Sequence, residues 1–140
     1  MTRTPRRRDR IASRLGVLAG SSSLLVAAVL VAPPAAEAAW GSGARVHGGE
    51  VQACKVRNDD GSLTIRTRLD NRRASHTHLG GMSRTRDGHR VSVNVRAAAG
   101  KISGTKSLRW RSGDVLSIGI GETTGEGLGG SIDPSQIPHC

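Results

Sequence analysis

Two histidines separated by one residue, His76-Thr77-His78, are the sharpest chemical feature of this chain. On a β-strand, residues two apart point to the same side. The pair could therefore offer two imidazoles to one metal ion, and copper and zinc are the ions that suit imidazole. His47, His89 or His139 would then have to supply a third ligand. The further spaced His and Asp residues of a dedicated metal loop are missing, so the expectation is no metal site, with His76 and His78 as weak candidates. Gly125-x-Gly127-x-x-Gly130 spells a dinucleotide fingerprint by letter. Its chemistry needs a strand before it and a helix after it to meet the pyrophosphate. Ser131-Ile132-Asp133-Pro134 follows, which reads as a turn, so no nucleotide is expected. Ser and His are present, but no G-x-S-x-G elbow is, and Asp59, Asp60, Asp87 and Asp114 fall in turns. No catalytic residue and no cofactor is assigned. A small metal-binding protein through His76 and His78 and an unrecognised secreted hydrolase stand as the alternatives.

Arginine carries the main functional expectation. Arg66, Arg68, Arg96, Arg109 and Arg111 alternate with apolar residues and should point away from the core. If their strands share a sheet, they form a patch that attracts anionic polymers through its field and through bidentate contacts. The opposing view is that charged outer faces keep a small sandwich soluble and discourage edge pairing.

The elements that must position these side chains are strands. Val51–Arg57 reads as a strand, Asn58-Asp59-Asp60-Gly61 as a turn, and Ser62–Asp70 as the clearest alternation, with Leu63, Ile65, Thr67 and Leu69 on one face. Asn71-Arg72-Arg73 is a loop. Ser75–Arg86 is a weaker strand in which Gly80-Gly81 suggests a bulge or bend. Asp87-Gly88 is a hairpin turn leading to Val91, Val93 and Val95. Ser107–Arg111 places Leu108 and Trp110 inward, and Val115–Gly121 closes the series. About six to seven short strands with no helical stripe predict an all-β fold, a small antiparallel β-sandwich over residues 51–124. Residues 39–50 read as a flexible lead-in, and residues 125–140 as a Gly/Pro-rich C-terminal tail.

Residues 1–38 have the order of a signal peptide. Six arginines precede Arg14 or end on it, Leu15–Ala32 is uncharged, Pro33-Pro34 breaks the run, and Ala36-Glu37-Ala38 is a small-x-small exit. Cleavage after Ala38 is expected, with an uncleaved membrane anchor as the alternative; the apolar run is at the lower edge for a spanning helix. The Arg-Arg pairs hint at twin-arginine export, but Asp9 and Arg10 occupy the positions where apolar residues belong, which favours general secretion. The remaining residues 39–140 hold 15 of the 21 Lys+Arg and nine of the 11 Asp+Glu, a formal charge of +6. Cys54 and Cys140 both lie there, and two cysteines in an exported domain read as one disulfide. An intermolecular bridge or a free terminal thiol is the other possibility. With no Phe and no Tyr in the chain, a domain of this size needs such a cross-link.

The run Cys54-Lys55-Val56-Arg57 through Asp60-Gly61-Ser62-Leu63, then Gly104-Thr105-Lys106-Ser107, Trp110 and the alternating Val115–Ile120 segment, resembles small secreted β-sandwich proteins of actinobacteria. The likeness covers about two-thirds of residues 39–140. It implies the fold and a signal peptide and no activity. Many such chains carry a second internal Cys, whereas here the second is terminal. The expected protein is a secreted, non-enzymatic, basic domain that binds an anionic cell-envelope polymer or another secreted protein. It meets the membrane only through its signal peptide before cleavage.

Overall fold

The computed structural model describes residues 39–123 and 125–140. The expected signal peptide, residues 1–38, lies outside the described residues. Among the described residues no helix is long and apolar enough to cross a membrane. Eight strands follow in order: β1 (Gly41–Val46), β2 (Gly49–Arg57), β3 (Leu63–Asp70), β4 (His78–Arg86), β5 (His89–Ala97), β6 (Lys106–Trp110), β7 (Val115–Glu122) and β8 (Gly127–Ser131). They build two antiparallel four-stranded sheets, β1-β2-β3-β6 and β5-β4-β7-β8. The all-β sandwich read from the alternation is the observed fold.

Period-two burial explains why these segments pair face to face. Leu63, Ile65, Thr67 and Leu69 of β3 are buried, as are Leu116, Ile118 and Ile120 of β7. Val51, Met82, Val95 and Leu108 join them in one cluster between the sheets. Thr67 is tolerated there because its hydroxyl donates to the Gln52 carbonyl at 3.2 Å, so this buried hydroxyl is not left unpaired. The Asp87-Gly88 turn has both φ angles positive, 49° and 78°. That is what a two-residue turn matching strand twist demands.

Three expectations change. Residues 39–50 are not a flexible lead-in: residues 41–46 form β1, which pairs with β2 through a two-residue turn at His47-Gly48. Both turn residues have positive φ, 40° and 85°. His47 stands where Asn, Asp or Gly would mark such a turn, and so the hairpin has no strong sequence signal. Residues 125–140 are not a plain tail: β8 extends the second sheet beyond β7, and its glycines had masked the strand because they lack the alternation that betrays one. Gly80-Gly81 is not a bulge, since β4 keeps unbroken register with both β5 and β7 through these residues. The glycines are there for close approach. A Cβ on Gly80 would lie 2.4 Å from Val51 Cγ2, and one on Gly81 would lie 2.1 Å from the Val93 carbonyl oxygen.

After β8 the chain turns through a short 3-10 helix, Pro134–Gln136, whose first turn is capped by the Asp133 carboxylate accepting from the Ser135 amide. Ile137 is then buried in the core, and the remaining residues run alongside β2. The Lys55 amide donates to the Pro138 carbonyl at 2.8 Å, and the Cys140 amide donates to the Lys55 carbonyl at 3.0 Å. Lys55 Nζ donates to the Pro134 carbonyl at 2.7 Å. Cys54 and Cys140 are bridged, with Cα atoms 5.0 Å apart across a separation of 86 residues.

Cross-linking a loop of that length restricts the unfolded chain by about 4 kcal/mol. Cys140→Ser is therefore expected to lower the melting temperature by roughly 15 °C or more, measured by differential scanning calorimetry. A non-reducing tryptic map of the wild-type monomer should contain one linked Cys54–Cys140 peptide pair.

Candidate functional site

The expected basic patch divides between two faces. Arg66 and Arg68 sit on β3 at positions alternating with buried Ile65, Thr67 and Leu69, so they lie on the outer face of the first sheet. β6 pairs with β3 and puts Arg109 opposite Thr64, one position along from Arg66 on the same outer face. Arg111 follows one residue after β6 ends. Arg96 does not join them. It lies on β5, opposite Leu79 of β4, and therefore on the second sheet. The chain changes sheets between β5 and β6, a crossover that short-range alternation cannot reveal.

Of the five arginines expected to form the patch, the four on or beside the first sheet differ in what holds them. Arg66 is exposed and makes no ion pair among the described residues. Arg68 donates through Nε to Gln52 Oε1 at 2.9 Å, and its guanidinium lies 4.2 Å above the centre of the Trp40 ring. A cation over an indole face is attracted by the ring, and arginine takes this position more often than lysine. Arg109 is ion-paired through Nη2 with Asp60, and its Nε donates to Ser62 Oγ at 3.0 Å. Arg111 Nη2 stands 4.0 Å from the same carboxylate. The Ser62 hydroxyl, its amide and Arg109 together hold the Asp60 carboxyl below the usual carboxylate range. One carboxylate thus sits between two guanidiniums, and this end of the face carries less net positive charge than the residue count suggests.

A second arginine cluster braces the turn before β7. The Asp114 side chain is 1% exposed. It accepts from Arg86 Nε at 2.5 Å and from the Arg111 amide at 2.8 Å, with Arg84 Nη1 at 3.7 Å. The Asp114 carbonyl accepts from Trp110 Nε1 at 2.9 Å. These contacts tie β4, β6 and β7 together and are structural.

His76 and His78 do not act as a same-face pair. His76 is exposed and precedes β4, whereas His78 opens β4 and is fully buried. His78 instead meets Glu122, its cross-strand neighbour on β7, with Nε2 3.4 Å from Oε1. His47, from the β1–β2 turn, places Nδ1 2.7 Å from that same oxygen. Its Nε2 stands 3.4 Å from Glu126 Oε2. Hydrogen bonding and charge from Glu122, with a further contribution from Glu126, hold the His47 proton above the usual imidazole range. Sequence reasoning missed this cluster because His47 and Glu122 are 75 residues apart and fall in segments read as lead-in and as the end of a strand. His89 and His139 are not part of it. Among the described residues no group of three or more His, Cys, Asp or Glu side chains is arranged as it stands to hold a metal ion.

A concavity of about 720 Å³ forms a trough on the outer face of the second sheet. Gly81, Gly119, Gly121 and Gly129 floor it, and Ser83, Ser92, Ser117, Ser131, Asn94 and Arg90 supply its polar groups. No family model, curated protein or solved structure matches the chain.

Burial alone would raise the Asp114 pKa, but the Arg111 amide, then Arg86 and Arg84, outweigh it and hold the carboxyl below its usual value. A depressed folded-state pKa gives stability that is present above the unfolded value of about 3.9 and is lost as pH falls through the folded one. Asp114→Asn should therefore destabilise the protein by about 2 kcal/mol at pH 7. It should also flatten the decline of the melting temperature between about pH 4 and pH 2, read from thermal denaturation at a series of pH values.

Proposed function

We propose that residues 39–140 are a secreted, non-enzymatic domain whose first-sheet outer face binds an anionic cell-envelope polymer through Arg66 and Arg68. One observation carries this reading: Arg66 is exposed with no internal ion pair, next to Arg68, whose guanidinium is already fixed by Gln52 and Trp40. Residues two apart on a strand are about 7 Å apart, the spacing of successive anionic groups on a phosphodiester or acidic glycan chain. A pre-placed guanidinium loses less conformational freedom on binding than a mobile one. Arg109 and Arg111, which share Asp60, add mainly to the long-range field. Arg96 lies on the other sheet and has no part in the contact. An intrachain disulfide is at home in an oxidising compartment, which supports secretion, and the likeness to small secreted actinobacterial β-sandwich proteins supports the same compartment.

The test is affinity for wall teichoic acid and for polyphosphate, measured with purified residues 39–140 at about 20 mM and about 150 mM salt; exposed charges are screened beyond roughly 8 Å at the higher value. Binding should be present at low salt and fall steeply at the higher. Arg66→Gln/Arg68→Gln should reduce low-salt affinity by about tenfold or more while moving the melting temperature by only about a degree or two. Arg96→Gln should leave affinity close to wild type. Absence of low-salt binding to either polymer would overturn the reading, as would equal losses in the Arg96 variant and the double variant.

A further inference from the structure

The cluster of His47, His78 and Glu122 has no role in the anionic face, and its chemistry is unusual for a structural contact. His78 is completely buried, yet its Nε2 has no hydrogen-bond partner. Its other nitrogen, Nδ1, lies 3.3 Å from the His76 carbonyl oxygen. A ring that donates Nδ1–H to a carbonyl keeps the bare lone pair on Nε2. That tautomer, oriented by a backbone carbonyl, is the one in which histidine binds metal ions. Nε2 stands 3.4 Å from Glu122 Oε1. Two ligands of a tetrahedral ion with bonds of about 2.0–2.1 Å stand about this far apart.

The third group lies on the solvent side. His47 has Nδ1 beside the same carboxylate and Nε2 facing Glu126, and its side chain is 59% exposed. An imidazole with one nitrogen toward the site and the other toward a carboxylate repeats the arrangement that orients metal-bound histidines. Three chain segments meet here, each set by the fold. His47 is placed by the tight β1–β2 turn, and His78 and Glu122 by their direct pairing across β4 and β7. Gly49 is required beside them, because a Cβ there would lie 2.9 Å from both Asn71 Oδ1 and the His78 ring.

We propose that His47, His78 and Glu122 bind one divalent cation of the imidazole-preferring class, for which Zn²⁺ is the probe. The cage closes on binding. The 2.7 Å between His47 Nδ1 and Glu122 Oε1 is a hydrogen bond, shorter by about half an ångström than two ligands of one ion allow. When the ion enters, that hydrogen bond is given up. The ring proton then resides on His47 Nε2, which donates it to Glu126, and Nδ1 is left as a ligand. Two imidazoles and one carboxylate leave a fourth position open on the exposed side. His76 enters only through its backbone carbonyl, so its side chain is dispensable. This sets the site apart from a His-x-His pair built on residues 76 and 78.

The test is isothermal titration of tag-free residues 39–140 with ZnCl₂ at pH 7.5, with thermal denaturation in the presence and absence of Zn²⁺ as a second readout. The expected result is one ion per chain with a dissociation constant of about 10 μM or tighter, and a melting temperature raised by Zn²⁺. His47→Ala, whose side chain is largely in solvent, should weaken binding at least tenfold and abolish the thermal shift. Glu122→Gln should do the same, and His76→Ala should match the wild type. His78→Gln tests the buried ligand wherever its circular dichroism remains native. Failure of the wild type to bind stoichiometrically would overturn the proposal. So would a His47→Ala protein that binds as the wild type does, or a His76→Ala protein that loses binding. None of the residues mutated here belongs to the anionic face, so the two readings stand or fall separately.

Discussion

The structure depends on the union of β2 with the last four residues of the chain. β1 begins at Gly41, opposite Ala53, so beyond that point no strand among the described residues pairs with β2 on this edge. Residues 138–140 take over there, exchanging two backbone hydrogen bonds with Lys55 and closing the Cys54–Cys140 bridge. Ile137 enters the core at the same place, and burial of such a side chain contributes on the order of 2 kcal/mol. A core with no Phe and no Tyr, assembled from Val, Ile, Leu, Ala and one Met, has little apolar area to spare. The strap supplies an apolar plug, an edge partner and a covalent tie in one short segment. Even Gly41 is fitted to it, since a Cβ there would stand 2.5 Å from the Pro138 ring.

Arginine serves two purposes in this chain, and the distinction lies in partners rather than in number. Arg84 and Arg86 surround a carboxylate that is almost wholly buried, and the Arg111 backbone completes its hydrogen bonds. These are fastenings between strands. Arg66 and Arg68 occupy equivalent alternating positions, yet one is open to solvent and the other is held over an aromatic ring. Asp60 stands between the two classes, drawing Arg109 and Arg111 toward the β2–β3 turn. A net charge of +6 on residues 39–140 is thus unevenly expressed over the surface.

What the sequence made legible follows the range of the interactions. Alternation in β3 and β7, the Asp87-Gly88 turn and the inward side of Leu108 are local, and each appears in the fold as expected. The disulfide was readable because two cysteines leave one intrachain pairing. β1 and β8 were hidden by their composition, Gly41-Ser42-Gly43 and Gly127-Leu128-Gly129-Gly130, in which too few side chains exist to alternate. Sheet membership was hidden altogether, and that is why Arg96 was grouped with arginines on the other sheet. The meeting of His47 with His78 and Glu122 needs the β1–β2 turn and the β4–β7 pairing together, and neither is written in any one stretch of residues.

The strap also sets an order of events. Cys54 lies in the second strand, while its partner and the edge residues beside it arrive 86 positions later. During synthesis, β2 through β7 can emerge and begin to pair, but the sheet edge stays incomplete and the covalent tie stays unmade until Cys140 is free. The strands made first can be held only loosely, because the bond that locks them waits for a residue 86 positions further on. Locking is thereby a late event in the assembly of this sandwich, and it acts on strands that have already paired.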